Sequence, residues 1–267
     1  MRASLRRWLR AGLVIPALAL APLPVRAADP EPAEAPPVEQ RALEIVRRMS
    51  ERLAGAERMR VTIELAYDAV QADGQVIEYG ATRRLAVKRP DHIRVDAVAR
   101  DGAHRTLVYD GRQLALADAE RNVYATAART GDIDSVLAYL HDELGVPTPL
   151  AELFSKELPD LLARESASAR WVDRQSIDGV LCDHLAFRNP EVGLQLWVAA
   201  EGDPLPRRVA IVYEAARGRP QFRADLRGWD LSPWLRDSHF AFAPAKDSER
   251  IYFRAGALVV PGVEGLR

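Results

Sequence analysis

The side chains in this sequence that could act in catalysis or metal binding are few and scattered. The tightest group is Cys182-Asp183-His184. On a β-strand, Cys182 and His184 would point to the same face and could share a metal ion. Two ligands on one strand are fewer than a zinc site needs, so we favour a buried, hydrogen-bonded pair and predict no metal site. The other histidines are spread along the chain: His92, His104, His141 and His239.

The sequence contains no recognisable catalytic motif. There is no Gly-x-Ser-x-Gly nucleophile elbow and no glycine-rich loop of the kind that binds phosphate. Aspartate and glutamate are abundant, but they alternate with apolar residues and would solvate the outer face of a sheet. We therefore predict no catalytic residues, no cofactor and no enzymatic activity, which makes an enzyme the weakest of three functional hypotheses.

The charge of the chain argues against nucleic acid as a partner. The formal net charge is -1. Without residues 1–27, which hold five arginines and no acid, 32 basic residues face 38 acidic ones, so the net charge becomes -6. Such a surface has no electrostatic reason to bind nucleic acid or anionic lipid headgroups. The basic pairs Arg83-Arg84 and Arg207-Arg208 are too short to alter this conclusion.

Residues 1–27 have the layout of a secretory signal peptide. A basic start precedes an apolar stretch over residues 11–23, which two prolines interrupt and which is shorter than a membrane-spanning helix. We therefore predict cleavage near Ala27 and a periplasmic location, in preference to a membrane anchor, with the Sec and Tat routes both open. The single cysteine excludes an internal disulfide. We expect Cys182 to be a small buried residue rather than a reactive thiol or an inter-chain bridge.

Three further segments are defined by composition and periodicity. Residues 28–38 are rich in Pro, Ala and Glu, which indicates a flexible tether. Apolar residues then recur at helical spacing, and they predict an amphipathic helix over residues 38–54 that Gly55 can end. The folded part is predicted to be a single domain over residues 39–254, followed by a tail over residues 255–267.

Two blocks of alternating apolar and polar residues predict a large sheet, over residues 61–124 and 172–253. Turn dipeptides such as Asp73-Gly74 separate the strands, which is typical of antiparallel hairpins. Between the blocks, residues 132–162 have helical spacing, Asp132 can cap the first helix, and the segment is too apolar for a surface connection. The predicted fold is α+β: one strongly curved antiparallel sheet, an incomplete barrel of about ten or eleven strands, with helices packed on its concave face.

Three stretches of the second block carry a resemblance to a known family. They are Cys182-Asp183-His184-Leu185-Ala186-Phe187, Gln195-Leu196-Trp197 and Leu205-Pro206-Arg207-Arg208. Together they resemble a bacterial family of predicted periplasmic proteins of unknown function, over most of the chain. The order of elements is similar to that of the lipoprotein carrier LolA and its acceptor LolB. The resemblance implies a half-barrel closed by helices over a cavity that takes acyl chains, and it implies no functional residue.

The phase of alternation predicts which residues would line such a cavity. We expect twelve apolar side chains to face inward, some of them beneath the helical insert. The strand residues are Ile63, Leu65, Leu85, Val87, Ile93, Val95, Leu196, Ile211 and Phe222, and the insert residues are Leu137, Leu140 and Phe154. Aromatic residues of the last strands are expected in the core more than in a pocket.

Two functions compete on this architecture. The leading hypothesis is a periplasmic, non-enzymatic binding or carrier protein for a lipid, an acyl chain or a lipid-modified protein. The alternative is an envelope interaction or sensor module with a filled core, whose sheet rim or edge strand contacts another envelope protein. A connected apolar void of roughly a few hundred Å³ would favour the carrier. The sequence leaves the oligomeric state open.

Overall fold

The computed structural model describes residues 38–144 and 150–253. Residues 1–37 and 254–267 lie outside the described residues, and with them the predicted signal peptide, nearly all of the predicted tether and the predicted tail. Within the described part, no helix is both long enough and apolar enough to cross a membrane.

The described residues form one open, curved sheet of twelve strands. The strands of the first half are β1 (Arg58–Val70), β2 (Val76–Lys88), β3 (His92–Ala99), β4 (His104–Asp110), β5 (Gln113–Asp118) and β6 (Val123–Ala128). Those of the second half are β7 (Ser168–Ile177), β8 (Val180–Arg188), β9 (Val192–Ala199), β10 (Pro206–Tyr213), β11 (Gln221–Asp230) and β12 (Glu249–Ile251). Their order across the sheet is β12-β6-β5-β4-β3-β2-β1-β11-β10-β9-β8-β7.

The sheet consists of two antiparallel meanders that meet at β1 and β11. Neighbours in sequence pair in each meander, because short turns such as the one at Gly74, with a φ of +91°, return the chain directly. The two meanders join where β1 pairs antiparallel with β11, with Ile63 opposite Leu226. The predicted curved antiparallel sheet is therefore confirmed.

In the described residues, three α-helices accompany the sheet: α1 (Gln40–Ala54), α2 (Ile133–Asp142) and α3 (Leu158–Glu165). There are also two 3-10 helices, Ala151–Phe154 and Asp237–Phe240. The apolar face of α1 is fully buried because its apolar residues recur every three or four positions. As predicted, the Asp132 side chain caps α2 by accepting a hydrogen bond from the backbone N–H of Ser135 at 2.8 Å.

The core lies between the concave face of the sheet and the helices. Along β1, alternate residues from Met59 to Leu65 are at most 4% exposed, whereas the residues between them face out. Val136 and Leu140 of α2 and Leu158 and Leu162 of α3 belong to the same hydrophobic cluster. Each element therefore buries an apolar face that would be exposed without the other.

The C-terminal segment departs from the predicted meander. After β11 the chain crosses the convex face, where Leu235 and Phe240 pack against Ala86 and Val108. This path brings β12 alongside β6 in the same direction, so that their pairing is parallel. The sheet thus has twelve strands instead of about ten or eleven, and one pairing at its edge is parallel instead of antiparallel.

Candidate functional site

The twelve residues predicted to face inward all lie in, or pack against, a single hydrophobic cluster. Nine are buried: Ile63, Leu65, Leu85, Val87, Ile93, Leu196, Ile211, Phe222 and Leu140. The other three are half-buried: Val95, Leu137 and Phe154. These side chains therefore lie on one side of the sheet, and most of them form part of its hydrophobic core.

The space beneath α3 is small. A pocket between α3 and strands β8 to β10 has a volume of about 20 Å³, and Leu162, Phe187, Leu194 and Ile211 are among its lining residues. This is room for about one water molecule. An acyl chain could enter here only if the packing of α3 changed.

A groove lined in part by charged residues lies between α1 and α3. It has a volume of about 420 Å³ and is lined by Arg47, Glu51, Lys156 and Asp160. These four side chains are exposed and carry charges of both signs. The groove is therefore different in kind from the apolar cavity that the sequence predicts.

The concave face is less completely covered over strands β2 to β4. Ala81, Val95, Ala97 and Leu107 lie on this face and are only half-buried. They are neighbours through the strand register, which places Arg83 opposite Ala97 and Val95 opposite Leu107. We call Ala81, Arg83, Val95, Ala97 and Leu107 the concave floor.

Arg83 is the charged member of the concave floor. Its side chain lies on the concave side, since its cross-strand neighbour Ile63 and its strand neighbour Leu85 are core residues there. Within residues 38–144 and 150–253, Arg83 forms no side-chain hydrogen bond or ion pair. Burial lowers the pKa of its guanidinium group, and the nearby Tyr67 opposes that shift.

Arg83 was not predicted to lie on the concave face, because the Arg83-Arg84 pair was interpreted only as a short basic pair. The signal that could have identified it is its phase: Arg83 stands two residues before Leu85 and four before Val87, both of which were predicted to face inward. Arg84 has the opposite phase and is exposed.

An ion pair lies at the border of the concave floor. Arg105 Nε is 3.1 Å from Asp118 Oδ2, and the Asp118 side chain is only 10% exposed. Burial alone would raise the pKa of Asp118, but hydrogen bonds from the Arg121 backbone N–H and from Arg105 outweigh it and lower that pKa. Asp118 is thus an exception to the expectation that strand carboxylates solvate the outer face.

Cys182, Asp183 and His184 pack against neighbouring residues on the two faces of β8. His184 stacks on Trp197 with ring centroids 4.2 Å apart, and the Cys182 thiol, which is buried and free, donates to the Val180 carbonyl at 3.3 Å. Asp183 is 4% exposed and accepts hydrogen bonds from Trp171 Nε1 and Arg174 Nε at 2.9 and 3.0 Å. Among the described residues, no group of three or more His, Cys, Asp or Glu could hold a metal ion.

The aromatic residues of the last strands occupy different surroundings. Phe222 is in the main core, whereas Tyr213 and Trp229 are half-buried against it. Burial, with a contribution from Glu152, raises the pKa of Tyr213 to about 12, so this phenol is neutral at physiological pH. Trp234 is 75% exposed, which corrects the expectation that this aromatic belongs to the core.

The family model described as "Predicted periplasmic protein (DUF2092)" matches residues 42–254. The chain belongs to this family. The match covers every described helix and strand from the first turn of α1 to β12. It confirms the resemblance to predicted periplasmic proteins that the second block of strands carries. No curated protein matches the chain.

Several solved structures are similar to this DUF2092 protein at low identity. A crystal structure of MucB is 16% identical, with a TM-score of 0.45; the match covers 78% of this chain and 64% of that one, so the chain spans less than two thirds of MucB. Lipoprotein LppX of Mycobacterium tuberculosis is 12% identical over 74% of this chain and 98% of its own, with a TM-score of 0.43. The LolA superfamily protein NE2245 of Nitrosomonas europaea is 12% identical over 75% and 97%, with a TM-score of 0.36. Structural similarity at these TM-scores does not indicate a function.

Proposed function

We propose that this protein is a periplasmic, non-enzymatic binding or carrier protein that holds an acyl chain, of a lipid or of a lipid-modified protein, against the concave floor. The observation that supports this most directly is the half-buried state of apolar side chains such as Val95 and Leu107. They lie beside core residues of strands β2 and β3, such as Leu85 and Ile93, that are almost fully buried.

The physical basis of the proposal is the burial of further apolar surface. Each methylene group that leaves water contributes about 0.8 kcal/mol. Ten methylenes against the concave floor would contribute roughly 8 kcal/mol, from which the cost of ordering the ligand must be subtracted. The small pocket under α3 favours a ligand that lies on the floor, without a rearrangement of the packed helix.

The proposed compartment is the periplasm. The description of the family supports it, as does the predicted signal peptide over residues 1–27. N-terminal sequencing of the protein from a periplasmic fraction checks it. A mature chain that still begins at Met1 would contradict export by cleavage.

The test of the proposal is a pair of substitutions on β3. Val95→Phe fills the concave floor, and Val98→Phe adds the same bulk on the convex face, where Val98 is 37% exposed. We expect Val95→Phe to reduce the affinity for a fluorescent fatty acid at least about tenfold, or roughly 1.4 kcal/mol, and Val98→Phe to leave it unchanged.

Two controls accompany this pair. Circular dichroism establishes that both variants are folded, and native mass spectrometry of the wild-type protein shows whether a lipid co-purifies. A folded Val95→Phe protein with undiminished binding, or a wild-type protein that binds no apolar probe, would overturn the proposal.

A second candidate function has its own structural support. Strand β7 is at one edge of the sheet. In the described part of the chain, that edge is covered only near its start, where Val38 bridges to Ala169 and Glu39 accepts from the backbone N–H of Trp171. Val172 beside it is 40% exposed. An extended segment of another envelope protein could add to this edge.

The two candidate functions predict that different substitutions abolish binding. If the protein binds another chain through β7, Val172→Lys should abolish crosslinking to that partner in the envelope, while Val95→Phe has no effect. If Val95→Phe reduces binding and Val172→Lys has no effect, the carrier function is supported.

A further inference from the structure

We propose that Arg83 binds the anionic headgroup of the ligand, so that the ligand is an amphiphile with an acyl chain and one carboxylate or phosphate group. The inference rests on the proposed function and narrows its ligand class. It assigns the polar end of the ligand to one residue and the apolar end to the rest of the concave floor.

The position of Arg83 on the sheet supports this assignment. It lies near the middle of β2, a strand of 13 residues, and its partners across the two neighbouring strands are Ile63 and Ala97. Ala81 and Leu85 flank it on the same face. The guanidinium group of Arg83 therefore lies beside apolar side chains, whereas most arginines in proteins are exposed to water.

The charges of the residues beside Arg83 also support the assignment. The register places Arg83, Ala97, Arg105 and Asp118 side by side across four strands. Arg105 is neutralised by Asp118 at 3.1 Å. Arg83 has no such carboxylate partner among the described residues.

The free energy of hydration of Arg83 also favours an anionic ligand. A guanidinium group that is partly removed from water loses hydration without gaining a partner, which destabilises the ligand-free protein. A carboxylate or phosphate would restore hydrogen bonds, and the planar guanidinium can donate two of them in parallel. The same contact would hold the first methylenes of the chain against Ala81, Val95 and Leu107.

The test compares one ligand in charged and uncharged forms. Palmitate and methyl palmitate share their acyl chain and differ in one negative charge, and lysophosphatidate supplies a phosphate in place of the carboxylate. We expect the wild-type protein to bind palmitate about tenfold more tightly than methyl palmitate, the size of one charge-assisted contact. Preference for palmitate or for lysophosphatidate separates the two headgroups.

The variants then assign this preference to a residue. Arg83→Met should lose the preference for the acid while keeping affinity for the ester, and Arg83→Lys should retain most of it. Arg84→Met, next to Arg83 on the opposite face, is the matched control and should behave as wild type. The melting temperature of ligand-free Arg83→Met should equal or exceed that of wild type, because an unpartnered charge has been removed.

The possible failures are distinguishable. If acid and ester bind wild type equally well, or if Arg83→Met retains the preference, the assignment of Arg83 is overturned while the proposed function survives. If neither form binds wild type, both are overturned.

Discussion

At the scale of single residues, Asp183 illustrates how a carboxylate becomes part of the core. It is almost completely buried and accepts hydrogen bonds from Trp171 and Arg174. We predict that Asp183→Ala lowers the free energy of unfolding by roughly 2–3 kcal/mol, because the buried indole N–H of Trp171 would lose its acceptor. Urea denaturation at pH 7 measures this. Glu120→Gln, at an exposed turn, is the control and should stay within about 0.5 kcal/mol of wild type.

The same carboxylate gives the stability a pH dependence. Burial alone would raise the pKa of Asp183, but the hydrogen bonds from Trp171 and Arg174 outweigh it and lower that pKa below its usual value. A lowered folded-state pKa contributes stability that is present above the unfolded pKa, about 3.9, and is lost as the pH falls through the folded value. The difference between wild type and Asp183→Ala should therefore shrink below about pH 4.

The concave floor shows what residue-level analysis could and could not predict. Val95 packs against the main hydrophobic cluster, and its face follows from alternation alone, because alternation determines the face of a strand residue. The position of Arg83 on the concave face was not predicted, because a charged residue on an apolar face contradicts the rule by which the face is recognised. Whether a void exists depends on how side chains from distant elements fill it, and the alternation pattern does not contain this information.

At the scale of elements, the cap of α2 allows a specific test. Asp132 accepts from Ser135, and these hydrogen bonds lower the pKa of its carboxyl group. We predict that Asp132→Ala destabilises the protein by about 1 kcal/mol at pH 7, whereas Asp132→Asn, which can still accept the backbone hydrogen bond, has a smaller effect. Urea denaturation checks both. Equal losses in the two variants would show that the negative charge, rather than the cap, is what matters.

The elements were predictable to different degrees for physical reasons. Helix α1 has a long, regular pattern, and its predicted bounds of residues 38–54 agree with Gln40–Ala54 within about two residues. Strand β12 has three residues, all exposed, so it has no alternation of burial to detect. Its partner β6 is reached only because Leu235 and Phe240 fasten the preceding segment to the convex face.

At the scale of the whole molecule, we predict that the protein unfolds as one unit. The main hydrophobic cluster takes residues from both meanders and from all three helices, so neither half can bury its apolar face alone. Tryptophan fluorescence and far-ultraviolet circular dichroism should give coincident urea transitions. Two separate transitions would contradict the prediction of a single domain over residues 39–254.

The pairing of β1 with β11 has a consequence for the way the protein folds. Each meander can form from hairpins of adjacent residues, but the junction between them joins Glu64 to Arg227, which are 163 residues apart and 2.8 Å from each other. Contacts of such long range form slowly, because the entropy of closing the intervening loop is lost before they are made. The two halves of the concave face come together only at this step. The protein therefore completes its concave face late, after the last third of the chain has become available for pairing, and until then its apolar strands are exposed to aggregation.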